Sequence, residues 1–223
     1  MKPPFLTFIC HITPVPGRLP LPGQAGHKGP AFCRLGIMHL NSLDDIRKIF
    51  SSSTDFNEIF DVFQSALLQR VKDVELYRVL FWNQSLTADE IRLFGEKLAA
   101  EFPDLAFDVY LWLASVFEVT TASNDNYELA LQYYQKASAI RPSQPDPYLD
   151  ACDCYDPDLN IPPLGVLVEF IRCGLQHVEN PAPLYKRMAS LYELTGDTER
   201  CDYYRRKADE GGRGAPEERP PAA

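Results

Sequence analysis

From Ser42 to about Glu210 the apolar residues recur every three to four positions, the period of a helix with one buried face. Ser42 precedes Leu43, Ile46 and Ile49, and its hydroxyl suits an N-cap. Asp55 and Glu58 open a second such stretch, with Phe56, Ile59, Phe60, Phe63 and Leu67 on one side. Thr87 and Glu90 have the spacing of a capping box, in which each side chain reaches the other's free backbone N–H. Ile91, Phe94, Leu98 and Phe102 follow, and Pro103 ends the run. No apolar–polar alternation is long enough for a sheet. The pattern predicts an all-α chain.

The helical stretches also resemble one another. Tyr77, Leu80 and Phe81 have the same spacing as Tyr110, Leu113 and Ala114, as Tyr148, Ala151 and Cys152, and as Tyr185, Met188 and Ala189. The last three sets add an aromatic seven places on: Phe117, Tyr155 and Tyr192. The first set has Gln84 there. Successive tyrosines are 33, 38 and 37 residues apart, about one helix pair per step. The intervening helices carry Ala130, Tyr134, Ala137 and Pro142 in one case, and Gly196, Asp197, Cys201 and Ala208 in another.

These positions resemble the tetratricopeptide repeat, W-x2-L-G-x2-Y followed by a Gly turn, A-x3-F-x2-A and a proline. The resemblance covers about 74–209, is strongest over 107–142, and next strongest over 182–209. It implies an α-α solenoid, a right-handed superhelix of stacked antiparallel hairpins near 42–71, 74–103, 107–142, 145–178 and 182–209. Small residues would let paired helices approach, and aromatics would fill the gaps between pairs. Several features depart from the pattern: a long turn at 120–126, Arg205 in place of an aromatic, and proline interruptions at Pro157 and Pro163. The unit at 74–103 fits only in its first helix. The polar last helix reads as a terminal cap, and 42–71 as a hairpin closing the other end.

Composition changes the picture at the two ends. The chain has 223 residues, a formal charge of −9 and 45% hydrophobic residues. Residues 1–37 hold no Asp or Glu, four basic residues, seven prolines and five glycines. The remainder is correspondingly more acidic, which disfavours nucleic-acid or anionic-membrane binding as its main work. The first 37 residues read as a disordered leader or a misassigned start preceding Met38; a signal peptide around Phe5–Ile12 is the competing reading. Residues 38–210 read as the repeat domain and 211–223 as a disordered tail. With no persuasive export signal and no run of ~18 apolar residues, the expected location is cytoplasmic.

Candidate chemistry is sparse. Cys152, Cys154, Cys173 and His177 have zinc-ligand types, yet Cys152, Cys173 and Cys201 stand where the repeat places small packing residues. Asp156, Asp158 and Asn160 open like a calcium loop, but Ile161 replaces the required glycine and Leu167 the bidentate Glu. A turn held by prolines is the competing reading. Asn83-Gln84-Ser85 is a glycosylation sequon, read here as coincidence. No nucleophile constellation or phosphate loop occurs. The expectation is a non-enzyme without cofactor or bound metal.

Electrostatics is more informative. Asp146, Asp150 and Asp153 share one helix face, offset from the Tyr148 packing stripe. By resemblance, that face lines a concave peptide-binding groove. Glu75, Arg78 and Trp82 would line its first unit. Asp108, Leu111, Trp112, Ser115 and Glu118 would follow, then Asp146, Leu149, Asp150 and Asp153. Lys186, Arg187, Ser190 and Glu193 would complete it. Asp in the central unit disfavours a clamp for a partner carboxylate. The expected function is a protein-interaction module whose acidic groove takes a basic peptide or protein, with an apolar anchor near Trp112. The alternatives are a solvated stripe on a scaffold or assembly subunit that uses its outer surface, and a metal protein or enzyme built on Cys152, Cys154, Cys173 and His177. The oligomeric state stays open.

Overall fold

The computed structural model describes residues 42–119 and 125–210; the readings of the leader and the tail lie outside these residues. The described chain is all-helical: ten α-helices, one 3₁₀ turn and no strand. The helices are α1 (Leu43–Ser52), α2 (Phe56–Leu68), α3 (Val74–Phe81), α4 (Ala88–Glu101) and α5 (Ala106–Val119). They continue with α6 (Asp125–Ile140), α7 (Asp146–Asp150), α8 (Leu164–Leu175), α9 (Ala182–Leu194) and α10 (Thr198–Asp209). The 3₁₀ turn, Ala151–Cys154, continues α7 directly. Among the described residues, no helix is long and apolar enough to cross a membrane.

Local chemistry sets the helix starts. Ser42 and Asp45 form a capping box on α1, and Thr87 and Glu90 form the expected one on α4. Asp55, Asp73 and Asp197 cap α2, α3 and α10 through their carboxylates. Leu43, expected on the buried face of α1, is exposed; Ile46 and Phe50 are the residues that α1 buries. Asn83, read as part of a chance sequon, has a structural role. It is buried, and its Nδ2 donates to the carbonyls of Phe50 (2.9 Å) and Ser53 (3.0 Å) at the end of α1. Its Oδ1 accepts from the Ser85 N–H at 2.9 Å. The amide thus satisfies carbonyls that the helix end leaves free. The spacing that looks like a glycosylation signal is that of an Asx turn.

Helices pack on their neighbours in two series. In one, α1 meets α3, α3 meets α5, and α7 meets α9; in the other, α2 meets α4. The pairs α5–α6 and α9–α10 make extensive contacts, and α6 adjoins α7 and the 3₁₀ turn. One hydrophobic core runs through all of them, from Ile46 to Tyr204.

Within this core an aromatic contact recurs. The Tyr110 and Phe117 rings both meet Tyr133 of α6, at 5.9 and 5.7 Å between centroids. The Tyr185 and Tyr192 rings both meet Tyr204 of α10, at 6.3 and 5.6 Å. Tyr148 meets Phe170 of α8 at 4.8 Å. Tyr77 departs, packing back on Phe50 of α1 and Phe63 of α2. The second helices therefore align on Tyr133, Phe170 and Tyr204, each followed four residues later by a small residue: Ala137, Gly174 or Ala208.

This register corrects two expectations. Cys173 is exposed, not a packing residue. The close approach belongs to Gly174, where an added Cβ would lie 2.8 Å from the Tyr148 ring. The aromatic missed at Arg205 is present one position earlier, as Tyr204, which is buried. Cys152, Cys154 and Cys201 are buried thiols. Burial pushes the Cys152 thiol up to about 12, and it raises the Cys154 thiol as well. In α6 the ring aligned with Arg205 is Tyr134, and it points elsewhere: its hydroxyl donates to Glu118 at 2.8 Å.

Candidate protein-interaction surface

The acidic stripe rests on a short, tightened helix. Pro145 and Pro147 start α7, and its α-helical part ends at Asp150, before the expected stop at Asp156-Pro157. The chain continues as the 3₁₀ turn through Asp153. A 3₁₀ turn has about three residues per turn, so side chains three apart eclipse, and Asp150 and Asp153 stay on one side. Asp146 and Asp153 are exposed and Asp150 is half-buried.

Two neighbouring helices bring further charge. Glu118, near the end of α5, is half-buried and accepts the Tyr134 hydroxyl. Arg187 of α9 holds Asp153 through two contacts, Nη1 to Oδ1 at 2.8 Å and Nη2 to Oδ2 at 3.0 Å. This paired geometry is the strongest that a guanidinium and a carboxylate make. The structure thus brings Glu118, Asp146, Asp150, Asp153 and Arg187 within mutual electrostatic reach.

Asp150 bears the cost of that arrangement. Burial pushes its carboxyl up to about 6, and Asp146, Asp153 and Glu118 push the same way; only Arg187 opposes them. Burial likewise raises Glu118, against the hydrogen bond from Tyr134. Among the described residues the Asp150 carboxylate makes no hydrogen bond and no ion pair, while Arg187 is committed to Asp153.

A pH dependence follows. The folded state holds the Asp150 proton more tightly than the unfolded chain does. Its contribution to stability is therefore full below the ordinary Asp range and is lost as pH rises through about 6. Asp150→Asn should be more stable than the parent at pH 8, by on the order of 1 kcal/mol after allowing for solvent screening. The gain should shrink as pH falls through about 6 and vanish only below the ordinary Asp range, at about pH 3. Urea unfolding of both proteins across this range measures it, and an equal gain at every pH would contradict the assignment.

The other expected groove residues extend the surface along α5 and α9. Asp108, Leu111, Trp112 and Ser115 are half-buried on α5, with Asp108 about 15 Å and Trp112 about 9 Å from Glu118 by helical rise. Ser115 donates to the Leu111 carbonyl at 3.1 Å. Lys186 is exposed, one residue before Arg187. At the margins, Glu75 pairs with Arg78 at 3.1 Å and Glu193 with Arg205 at 2.8 Å. The Glu118–Tyr134 and Asp153–Arg187 partnerships were not legible in the sequence, since their members lie 16 and 34 residues apart.

The metal candidates do not assemble. Cys152 and Cys154 are buried while Cys173 is exposed, and the described residues contain no group of three or more His, Cys, Asp or Glu placed to hold an ion. In the calcium-like loop, Asp156 Oδ1 accepts the N–H groups of Asp158 (2.9 Å) and Leu159 (3.1 Å). Asn160 Oδ1 accepts the Leu164 N–H at 3.1 Å, at the start of α8. These side chains shape the turn between α7 and α8. No protein-family model matches the chain, and no curated protein sequence matches it.

Proposed function

We propose that the described residues, 42–119 and 125–210, form an α-solenoid similar to tetratricopeptide repeats and act as a non-catalytic protein-interaction module. Its acidic face, from Asp108 and Trp112 through Asp146, Asp150 and Asp153 to Arg187, takes a basic segment of a partner protein. Support for the architecture comes from the recurring ring contact at Tyr133, Phe170 and Tyr204, and from the packing of helices on their second neighbours. Where α6 has the buried ring of Tyr134, α10 has the exposed Arg205, a polar residue suited to the end of a stack. Four unpaired cysteines among the described residues suit a reducing compartment such as the cytoplasm.

One observation carries the functional reading. Among the described residues, Asp146, Asp153 and Glu118 all act on Asp150, and the cation that opposes them, Arg187, already serves Asp153. Asp150 remains half-buried and without an ion pair. An Arg or Lys brought by a partner would supply the missing charge, and the interaction would be stronger there than at a fully exposed site.

The test compares the parent chain with Asp150→Lys/Asp153→Lys in affinity purification from the source cells, read by quantitative mass spectrometry. Loss of specific partners from a variant with unchanged thermal unfolding is the expected result. Unchanged recovery would overturn the reading and favour a scaffold that binds through its outer surface.

A further inference from the structure

Beside the acidic cluster lies a cavity of about 230 Å³ between the 3₁₀ turn and α9. Asp153 and Arg187 form one wall, already joined to each other. The remainder is Ser190 together with the apolar surfaces of Cys152, Tyr155, Leu191 and Leu194. Cys152 and Leu191 are buried and hold the floor, while Leu194 is 58% exposed at the mouth. An apolar side chain this exposed at a cavity rim gains by being covered. The cavity can take one aliphatic side chain, and its acidic surroundings select what flanks that side chain.

We propose that this cavity anchors the partner: a leucine-like side chain enters between Tyr155, Leu191 and Leu194, while a basic residue beside it meets Asp150 and Glu118. The inference rests on the acidic-face reading above and moves the anchor expected near Trp112 to the far side of the carboxylates. Charge complementarity commits the occupant to a cationic segment, because a carboxylate flanking the anchor would meet Asp150, Asp153 and Glu118 with one committed arginine between them. The aliphatic character follows from the side of the cavity away from Asp153 and Arg187, where Leu191, Leu194 and the half-buried Tyr155 ring offer carbon surface beside Ser190.

The probes are two synthetic peptides, Gly-Arg-Arg-Leu-Arg-Arg-Gly and the same peptide with Ala at its centre. They are titrated into the full chain carrying ¹³C-labelled leucine methyl groups. The leucine peptide should bind about tenfold more tightly, as expected for burying three further carbons at a partly open site, and should shift the Leu191 and Leu194 methyl signals. Leu194→Asp, a change at an exposed position, should erase the difference between the peptides while the alanine peptide still binds. Asp150→Lys should weaken both. Equal affinity of the two peptides, or a preference that survives in Leu194→Asp, would overturn the anchor and leave the acidic face standing. Binding of neither peptide at millimolar concentration would overturn both.

Discussion

Replacing Phe94 by alanine should lower the unfolding free energy by about 3–5 kcal/mol, the usual cost of emptying a fully buried aromatic site. Phe94 has no exposed surface. Its ring lies 5.8 Å from Phe56, 6.4 Å from Phe60 and 4.9 Å from Phe63, the last edge-on. One side chain of α4 therefore holds three rings of α2, and the two helices meet along few other residues. Alanine would leave a void lined by aromatic edges that helical backbones cannot collapse to fill. Thermal unfolding should fall by on the order of 10 °C for a domain of this size. The neighbouring Leu93 is 50% exposed, and Leu93→Ala should stay within about 0.5 kcal/mol. Similar losses in the two variants would show that α4 does not pack on α2 through Phe94.

Gly174→Val should cost on the order of 3 kcal/mol by the opposite mechanism, overfilling. A Cβ at Gly174 would come 2.8–2.9 Å from three atoms of the Tyr148 ring. That ring has little freedom to yield. It is buried, it packs on Phe170, and its hydroxyl donates to the Pro142 carbonyl at 3.2 Å. Accommodation would have to push α8 away from α7, which also carries Asp150. Two readouts should therefore move together: stability falls, and binding at the acidic face weakens. Cys173→Ala is the control. Its side chain is exposed, so the change should stay within about 0.5 kcal/mol. A stable Gly174→Val would mean that α7 and α8 are not in close contact.

The two variants locate what could be read in advance. The helical class, the capping box at Thr87 and the break at Pro103 follow from neighbours in sequence, because caps and proline geometry act within four residues. The recurrence of Tyr110, Tyr148 and Tyr185 was equally legible, since one face of a helix repeats at a fixed spacing. Which residue of the following helix met each tyrosine was not. Cys173 and Gly174 are adjacent and both small, and a shift of one position turns a side chain by about 100° around the helix. Only the packed pair shows that Gly174 faces Tyr148 and that the second helices align on Tyr133, Phe170 and Tyr204.

The acidic face divides the same way. Asp146, Asp150 and Asp153 announce a common side through their spacing alone, even though the helix tightens to a 3₁₀ turn beneath them. Sequence by itself determined that the described residues are helical, that a tyrosine-led spacing recurs along them, and that carboxylates crowd one helix. The tertiary structure decided which carboxylates are paired: Asp153 with Arg187 and Glu118 with Tyr134, leaving Asp150 without an ion pair. Local patterns are set by bonded neighbours over a turn or two. A salt bridge across 34 residues exists only once the 3₁₀ turn that follows α7 has docked with α9, because charge interactions depend on distance in space and on the water that burial removes.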